Sequence, residues 1–269
     1  VLSSGNGRLR SHVNEVRCTL VTVPDPRSLT TTATADRPPP GDPRLKPPPL
    51  VYRPPHAPFL SIAYLDDEIA VIDKPSGLLS VPGKGEHLTD CAEARAQAAL
   101  PGALIVHRLD MDTSGLLLLA RNARAQRIIS GQFAKRITQK AYYAVVAGVP
   151  QADAGVIELP LRADWPNRPR QMVCYELGKP ALTRWEVTAR ASDRALLRLT
   201  PETGRSHQLR VHLSEIGHPI LGDPIYATGA ALAAAPRLML HATELSWRCP
   251  TDGAWRQAVS PPPDLFTIT

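Results

Sequence analysis

Residues 104–120 read LIVHRLDMDTSGLLLLA, a polar segment between two apolar runs. The runs at 104–106 and 116–120 have the length and composition of buried strands. A polar loop held between two such strands places its side chains rigidly, as a binding or catalytic site requires. The alternative is a simple Asx-type turn, in which Asp110 or Asp112 accepts hydrogen bonds from nearby backbone amides.

Short apolar runs punctuated by Gly, Pro and Asp continue on both sides of this loop. They predict further strands at residues 62–64, 69–72, 142–147, 183–187, 195–199, 208–213 and 238–240. One amphipathic helix is predicted over residues 122–135, where apolar side chains recur every three or four positions. Because strands dominate without a regular alternation with helices, the predicted fold class is α+β.

The first 58 residues have a different composition from the rest of the chain. They contain 12 of the 28 prolines and eight Lys/Arg against four Asp/Glu. We predict a disordered or polyproline-like extension over 1–58, or a start site assigned too far upstream, and one folded domain over 59–269. Most of the net charge of +6 lies in the extension. A polyanion bound by the nearly neutral domain must therefore meet a local basic patch.

The composition also excludes several classes of protein. Cys18, Cys91, Cys174 and Cys249 lie far apart with no Cys-x-x-Cys pair, which argues against a disulfide framework and a thiolate zinc site. No run of about eighteen apolar residues occurs, and the first twenty residues lack the pattern of a signal peptide. We therefore expect a soluble, cytoplasmic protein.

A second polar cluster spans residues 203–212 and is followed by a Gly- and Pro-rich turn at 217–224. It contains Arg205, His207 and Arg210, and ordinary solvation of a strand edge would explain these arginines without any function. On the predicted strand, His207 and His212 would point to opposite faces, which disfavours a shared metal ion.

Five segments resemble, in order, the motifs of the RluA-type pseudouridine synthases. They are DKPSGL at 73–78, HRLD and TSG at 107–115, KAY at 140–142, GRSHQLR at 204–210 and the turn at 217–223. The resemblance covers residues 62–266, and five motifs in order are specific where one would not be. The stretch DWPNRP at 164–169, with CYE and GKP after it, is similar to the member of this family that modifies both a tRNA anticodon stem-loop and large-subunit rRNA. The Pro-rich extension has no counterpart in the motif pattern, and Asp112 stands where the pattern fixes no residue.

The resemblance implies the pseudouridine synthase fold, with a mixed, mostly antiparallel central sheet flanked by helices and loops. It also implies the conversion of uridine to pseudouridine, in which the bond from N1 to C1′ breaks and the ring is rejoined through C5. This reaction needs no redox partner and no group donor, so we expect no cofactor and no metal.

The resemblance further implies roles for individual residues. Asp110 would be the catalytic carboxylate, which either attacks C1′ or removes the C2′ proton. Arg210 would be its cationic partner. Tyr142 would stack on the uracil and help to move the C5 proton, although it could also be an ordinary strand aromatic. Arg108 would fill the space that the extruded base leaves. Further substrate contacts are predicted for His107, Thr113, Arg205, His207 and Arg168.

The implied partners are stem-loops of tRNA and large-subunit rRNA. We expect the protein to act as a monomer and not to bind a membrane. Phosphate contacts are predicted, from clustering alone, for Lys135, Arg136, Arg162, Arg168 and Arg170, which could equally form a solvated face. One alternative is a synthase specific for rRNA. Another is a non-catalytic RNA-binding or ribosome-assembly protein, but Asp110, Tyr142 and Arg210 are all present. A glycosidase or glycosylase also acts at C1′ and would release free uracil.

Overall fold

The structure, a computed structural model, describes residues 51–268. In this range the chain forms a ten-stranded sheet, a separate two-stranded sheet and four α-helices. The strands are β1 (Ile62–Leu65), β2 (Ile69–Lys74), β3 (Leu104–Ile105), β4 (Ser114–Ala120), β5 (Gln139–Ala147), β6 (Ala154–Glu158), β7 (Leu161–Ala163), β8 (Gln171–Val173), β9 (Leu182–Arg190), β10 (Arg194–Pro201), β11 (Leu240–Arg248) and β12 (Trp255–Val259). The helices are α1 (Ala92–Ala99), α2 (Ala123–Ala134), α3 (Gln208–Glu215) and α4 (Gly229–Ala233).

The large sheet has the order β1-β2-β4-β11-β5-β10-β9-β6, with β3 beside β4 and β12 beside β11. Its β4–β11 pairing is parallel, and the other pairings among the described strands are antiparallel. This confirms the predicted α+β class with a mixed, mostly antiparallel central sheet. The two parallel strands meet at Gly115, which has a φ of 106° and would carry a Cβ into the backbone of Ala242. The loop motif therefore ends in glycine because no larger residue fits against β11.

The four leucines of β4 explain why the apolar run is continuous. Leu116 and Leu118 face the apolar cluster beneath α2, whereas Leu117 and Leu119 face the cluster against α1. All four are at most 1% exposed. A strand covered on both faces has no solvent side to make polar. Burial of each leucine contributes roughly 2 kcal/mol to the free energy of folding. Strand β4 is therefore firmly anchored in the sheet, and it holds the 107–113 loop that precedes it.

Helix α2 confirms the helix predicted over residues 122–135. The Asn122 side chain accepts a hydrogen bond of 2.8 Å from the backbone N–H of Ala125, which satisfies one donor of the first turn. Ala125 and Ile129 are buried against the sheet. The helix therefore covers the face of β4 that Leu116 and Leu118 occupy.

The strand predicted at residues 208–213 is wrong, because this segment is the helix α3. Leu209, Val211 and Leu213 alternate with polar residues as in a half-buried strand. However, the intervening Gln208, Arg210 and His212 are buried as well. Since residues 208–213 of this helix are all buried, the alternation of apolar and polar residues does not correspond to a buried and a solvent-exposed face.

Other boundaries also differ from the predicted ones. The strand predicted at 238–240 overlaps β11 only at Leu240. Helices α1 and α4 and strands β6, β7, β8 and β12 were not predicted. Helix α1 is rich in alanine, and such small side chains give little periodic contrast.

Residues 1–50 of the predicted extension lie outside the described residues, and two of its last eight residues form hydrogen bonds with the domain. The Tyr52 hydroxyl donates to the Asp90 carbonyl at 2.7 Å and accepts from the Leu79 N–H at 3.1 Å. The Pro55 carbonyl accepts a hydrogen bond of 2.8 Å from Arg95. Within residues 51–268, no helix has both the length and the apolar character that a membrane crossing needs.

Candidate active site

The loop at 107–113 is held mainly through its backbone. The ring of the half-buried His107 stacks on Phe133 with centroids 4.5 Å apart, and its Nε2 accepts the N–H of Leu118 at 2.9 Å. The Ser80 hydroxyl donates to the carbonyl of Leu109 at 2.6 Å and accepts from its N–H at 3.0 Å. Burial lowers the pKa of His107 to about 3, so the ring is neutral. His107 therefore positions the loop and leaves the Asp110 side chain free for other contacts.

Lys74 binds the backbone of the same loop. Its ammonium is 0% exposed and donates to the carbonyls of Pro75, Leu78 and Met111 at 2.9, 2.7 and 2.9 Å. All three donors of the ammonium are thus used on backbone oxygens. Burial lowers its pKa to about 7, against the opposite effect of nearby carboxylates, foremost that of Asp112. Lys74 lies in the first of the five motifs, but sequence reasoning gave it no role.

Asp110 lies beside an arginine that a second carboxylate orients. Arg210, on α3, donates through Nη1 to Asp110 at 3.2 Å and through Nε and Nη2 to the two oxygens of Asp223, both at 2.7 Å. Asp223 is fully buried and also accepts the N–H groups of Ile225 and Tyr226 at 2.9 and 3.1 Å. Burial would lower the pKa of Arg210, but the hydrogen bonds and charges of the two aspartates raise it overall. The guanidinium is therefore permanently charged and fixed in orientation.

The alternative of an Asx turn at Asp110 does not describe the loop. Within residues 51–268, the Asp110 carboxylate accepts its hydrogen bond from Arg210, whereas the N–H of Thr113 binds the Asp110 backbone carbonyl at 3.2 Å. Thr113 is 2% exposed. The turn thus closes through the backbone, and the carboxylate, 28% exposed, faces the cleft.

His207 begins helix α3 in the left-handed region, with a φ of 52°. Its Nδ1 lies 2.8 Å from the Tyr226 hydroxyl, and its Nε2 lies 3.9 Å from the Asp110 carboxylate. Burial lowers its pKa, so a neutral imidazole stands next to the Asp110–Arg210 pair. His212 lies inside the helix and contacts the Thr183 hydroxyl and a backbone carbonyl at 2.9 and 3.1 Å. It is a buried structural residue, and burial lowers its pKa to about 4.

Tyr142 lies in β5 with Leu199 and Ala242 as its neighbours on the adjacent strands. Its side chain lines the cleft that contains Asp110. Burial raises the pKa of its phenol, and the charge of Asp110 adds to the effect. Tyr142 is therefore a neutral phenol at physiological pH, with a flat ring at the cleft wall.

A single cleft of about 1240 Å³ brings together all nine predicted site residues. Its lining contains more positive than negative side chains. The basic members are Arg108, Arg136, Lys140, Arg168, Arg205 and Arg210, against Asp110 and Glu202. The protein thus has the local basic patch that its nearly neutral body requires for binding a polyanion. Arg108 is exposed next to the buried Leu109, so its side chain is available to a ligand.

The predicted phosphate-binding cluster is divided by the structure. Arg136 and Arg168 line the cleft, whereas Lys135, Arg162 and Arg170 do not. Arg170 instead donates to the carbonyl of Ile225. Among residues 51–268, no group of three or more His, Cys, Asp or Glu side chains is arranged to hold a metal ion.

Sequence reasoning missed Lys74 and Asp223 as site residues, although both lie in recognised motifs. The only available signal was their position at the ends of apolar segments, and it did not show that their side chains turn inward. Gln208 was also missed. Its side chain accepts hydrogen bonds from Thr203 at 2.7 Å and from the N–H of Arg205 at 3.0 Å, and so fixes the start of α3.

Comparison with known proteins agrees with this geometry. The sequence model of the RNA pseudouridylate synthase family matches residues 68–215. The chain is 48% identical over 222 residues to "Dual-specificity RNA pseudouridine synthase RluA" of Vibrio vulnificus strain CMCP6, covering 81% of this chain and 88% of the relative. It is 52% identical over 203 residues to the protein of the same name from Escherichia coli strain K12, covering 75% and 93%.

A solved structure shows the same fold. It is that of "Human RNA Pseudouridylate Synthase Domain Containing 1", which superposes with a TM-score of 0.64 at 31% identity and covers 76% of this chain and 84% of its own. The family match includes the loop, the strand and the helix that supply Asp110, Tyr142 and Arg210. On these grounds the chain belongs to the RNA pseudouridylate synthase family.

Proposed function

We propose that this protein converts uridine to pseudouridine in RNA stem-loops, and that it accepts both a tRNA anticodon stem-loop and large-subunit rRNA. One observation carries the chemistry: the Asp110 carboxylate faces a basic cleft while Arg210, itself oriented by Asp223, holds a positive charge against it. The dual specificity is supported by the relatives named as dual-specificity synthases, which are 48 to 52% identical to this chain.

In this proposal Asp110 acts at the ribose of the target uridine. Its carboxylate either attacks C1′, which forms an ester as the N1–C1′ bond breaks, or removes the C2′ proton to give a glycal. The detached uracil turns and bonds to C1′ through C5, which breaks the ester bond and frees the Asp110 carboxylate or, on the glycal route, takes place as Asp110 returns the proton to C2′. The Arg210 guanidinium, which donates to Asp110 at 3.2 Å, holds a positive charge beside the reacting carboxylate.

Tyr142 holds the uracil and takes part in the final proton transfer. A neutral phenol can stack on the base, but its oxygen can receive the C5 proton only as its own hydroxyl proton is given up, and the net change is a proton lost from C5 and gained at N1. The raised pKa of Tyr142 thus favours a relay over a tyrosinate base.

The other residues bind the RNA. Arg108 fills the stack from which the uridine is extruded, because its flat guanidinium can replace a base. Arg168, Arg205 and His207 contact the loop, while His107 and Thr113 act by holding the Asp110 turn. The nine residues come from one chain, so we propose a monomer, acting in the cytoplasm where tRNA and ribosomes are found.

The test is pseudouridine mapping on unmodified tRNA and large-subunit rRNA transcripts. Wild-type protein should modify both RNAs, and Asp110→Asn should modify neither while binding them. Asp67→Asn is the matched control, because Asp67 is an exposed carboxylate in the β1–β2 turn and outside the cleft.

Each other result identifies a different failure. Modification of rRNA alone would favour the rRNA-specific alternative. Activity retained in Asp110→Asn would remove the proposed mechanism, and release of free uracil would indicate a glycosylase.

A further inference from the structure

A tryptophan and an arginine form an exposed stack at the rim of the cleft. Trp165 is 65% exposed, and the Arg168 guanidinium lies 3.9 Å from the centre of its ring. Arg168 and the neighbouring Pro169 line the cleft that contains Asp110. Since most of the indole is accessible, the ring face away from Arg168 is open to a ligand. An exposed, flat aromatic ring beside a basic cleft offers a stacking surface to a nucleobase.

The loop that carries this stack is tied to the site. The N–H of Asp164 donates to the carbonyl of Arg170 at 3.0 Å, which closes the loop. The Arg170 guanidinium lies 5.1 Å from the ring centre of Tyr226, whose hydroxyl accepts the N–H of Gln171 at 2.8 Å. Arg210 lies over the same tyrosine ring at 5.2 Å. The position of Trp165 is therefore fixed relative to the Asp110–Arg210 pair, as a preorganised contact requires.

A nucleobase is the ligand that fits the open ring face. The basic side chains of the cleft attract a polyanion, and unpaired RNA bases stack readily on exposed aromatic rings. We propose that Trp165 and Arg168 bind a second unpaired base of the substrate loop, distinct from the uridine at Asp110. Trp165 provides the stacking face, and Arg168 supports the indole and pairs with an adjacent phosphate. This inference rests on the proposed function, because the RNA is the substrate of the cleft.

The chain offers a matched control for this site. Arg248 lies 4.3 Å from the ring centre of Trp255, which is 42% exposed. This pair is at the far end of β11, eight residues and roughly 26 Å from Leu240, which lines the cleft. Trp165→Ala should raise the Kd for a labelled stem-loop substrate about tenfold, whereas Trp255→Ala should leave the Kd unchanged. Trp165→Phe should retain most of the affinity, because a flat ring remains.

Abasic substitution identifies the base that stacks. Each loop nucleotide except the target is replaced in turn by an abasic one, and Kd is measured for wild type and for Trp165→Ala. One substitution should weaken wild-type binding about tenfold and leave the variant unaffected, because both changes remove the same contact.

Two results would overturn the stacking site. One is a Trp165→Ala variant that binds like Trp255→Ala. The other is a set of abasic RNAs that weaken both proteins by equal factors. In either case an active wild-type enzyme would leave the proposed function intact, whereas a wild type that forms no pseudouridine in this RNA would count against the function itself.

Discussion

Two buried arginines of this protein, Arg95 and Arg210, each form the same kind of ion pair with one carboxylate, but their other hydrogen-bond partners differ. Arg95 and Arg210 are each 2% exposed, and each binds one carboxylate through two parallel hydrogen bonds. Both bonds measure 2.7 Å from Arg95 to Asp90 and again from Arg210 to Asp223. Bidentate pairing of this kind fixes the plane of a guanidinium. The pairing alone therefore cannot tell a structural arginine from a functional one.

The remaining donors make the distinction. Arg95 donates to the backbone carbonyls of Pro55 and Phe59 at 2.8 and 3.2 Å, so its other partners are neutral and belong to the scaffold. Arg210 donates to Asp110, a second carboxylate that remains 28% exposed toward the cleft. A buried arginine whose remaining donors reach a carboxylate in a cleft is in a position to act on a ligand, whereas one whose remaining donors bind backbone carbonyls only joins segments.

The largest effect is expected when the bidentate carboxylate is removed. Asp223→Asn leaves the charge of Arg210 buried without its main partner, and should lower the free energy of unfolding by about 3 kcal/mol. The guanidinium is also released from its fixed plane, so the single-turnover rate of pseudouridine formation should fall about 100-fold. Asp90→Asn should cost about 1 kcal/mol, because Asp90 is 39% exposed and water can replace it.

Urea unfolding and single-turnover assays on folded protein measure both quantities. The rate in Asp90→Asn should equal that of wild type. Equal rate losses in Asp223→Asn and Asp90→Asn would show that the two arginines serve the same purpose, and would contradict the distinction drawn between them.

The resemblance to the family motifs predicted the contact of Arg210 with Asp110, but not the second carboxylate, Asp223, that orients Arg210. Asp110 and Arg210 were predicted from the motifs, and the nine predicted residues do line one cleft. Asp223 and Lys74 were not, because a charged residue next to an apolar run is usually solvated, and only tertiary packing shows these two to be buried.

The fold shows the same limit. The strand formed by the leucines of β4 and the helix α2 were predicted, since both depend on local sequence patterns. The segment 208–213 was predicted as a strand because its alternation is genuine, yet helix α3 is buried all round and no solvent face exists to set the period. Parallel pairing of β4 with β11 joins residues far apart in sequence, and no local signal shows it.

Lys74 is a third buried cation, and it differs from both arginines because an ammonium can lose its proton. Burial lowers the pKa of Lys74 to about 7, below the value of about 10.4 in the unfolded chain. Between these two values the unfolded state binds more protons, so the free energy of unfolding rises with pH and the full cost of burial is present below pH 7. We expect a contribution on the order of 2 kcal/mol between pH 7 and pH 9.

The measurement compares urea unfolding of wild type and Lys74→Met at pH 7 and at pH 9. The variant should lack this increase. The Cys91 thiol, whose pKa burial raises, titrates with the opposite sign in both proteins and cancels in the difference. Parallel pH dependences in the two proteins would show that Lys74 keeps its proton throughout.

The smallest effect is expected at Arg198. This residue tests whether contact with two carboxylates is enough, without burial, to make an arginine important for stability and activity. Its guanidinium lies 2.9 Å from Glu244 and 3.4 Å from Glu186, an arrangement that resembles Arg210 between its two aspartates. However, the Arg198 side chain is 31% exposed, and those of Glu244 and Glu186 are at least as exposed, so solvent screens the three charges. Arg198→Ala should lower the free energy of unfolding by less than about 1 kcal/mol and leave the rate of pseudouridine formation unchanged. A loss as large as that in Asp223→Asn would mean that the number of carboxylates matters more than burial. The expected small loss would show that burial of Arg210 and Asp223 is what converts a common ion pair into a fixed charge beside Asp110.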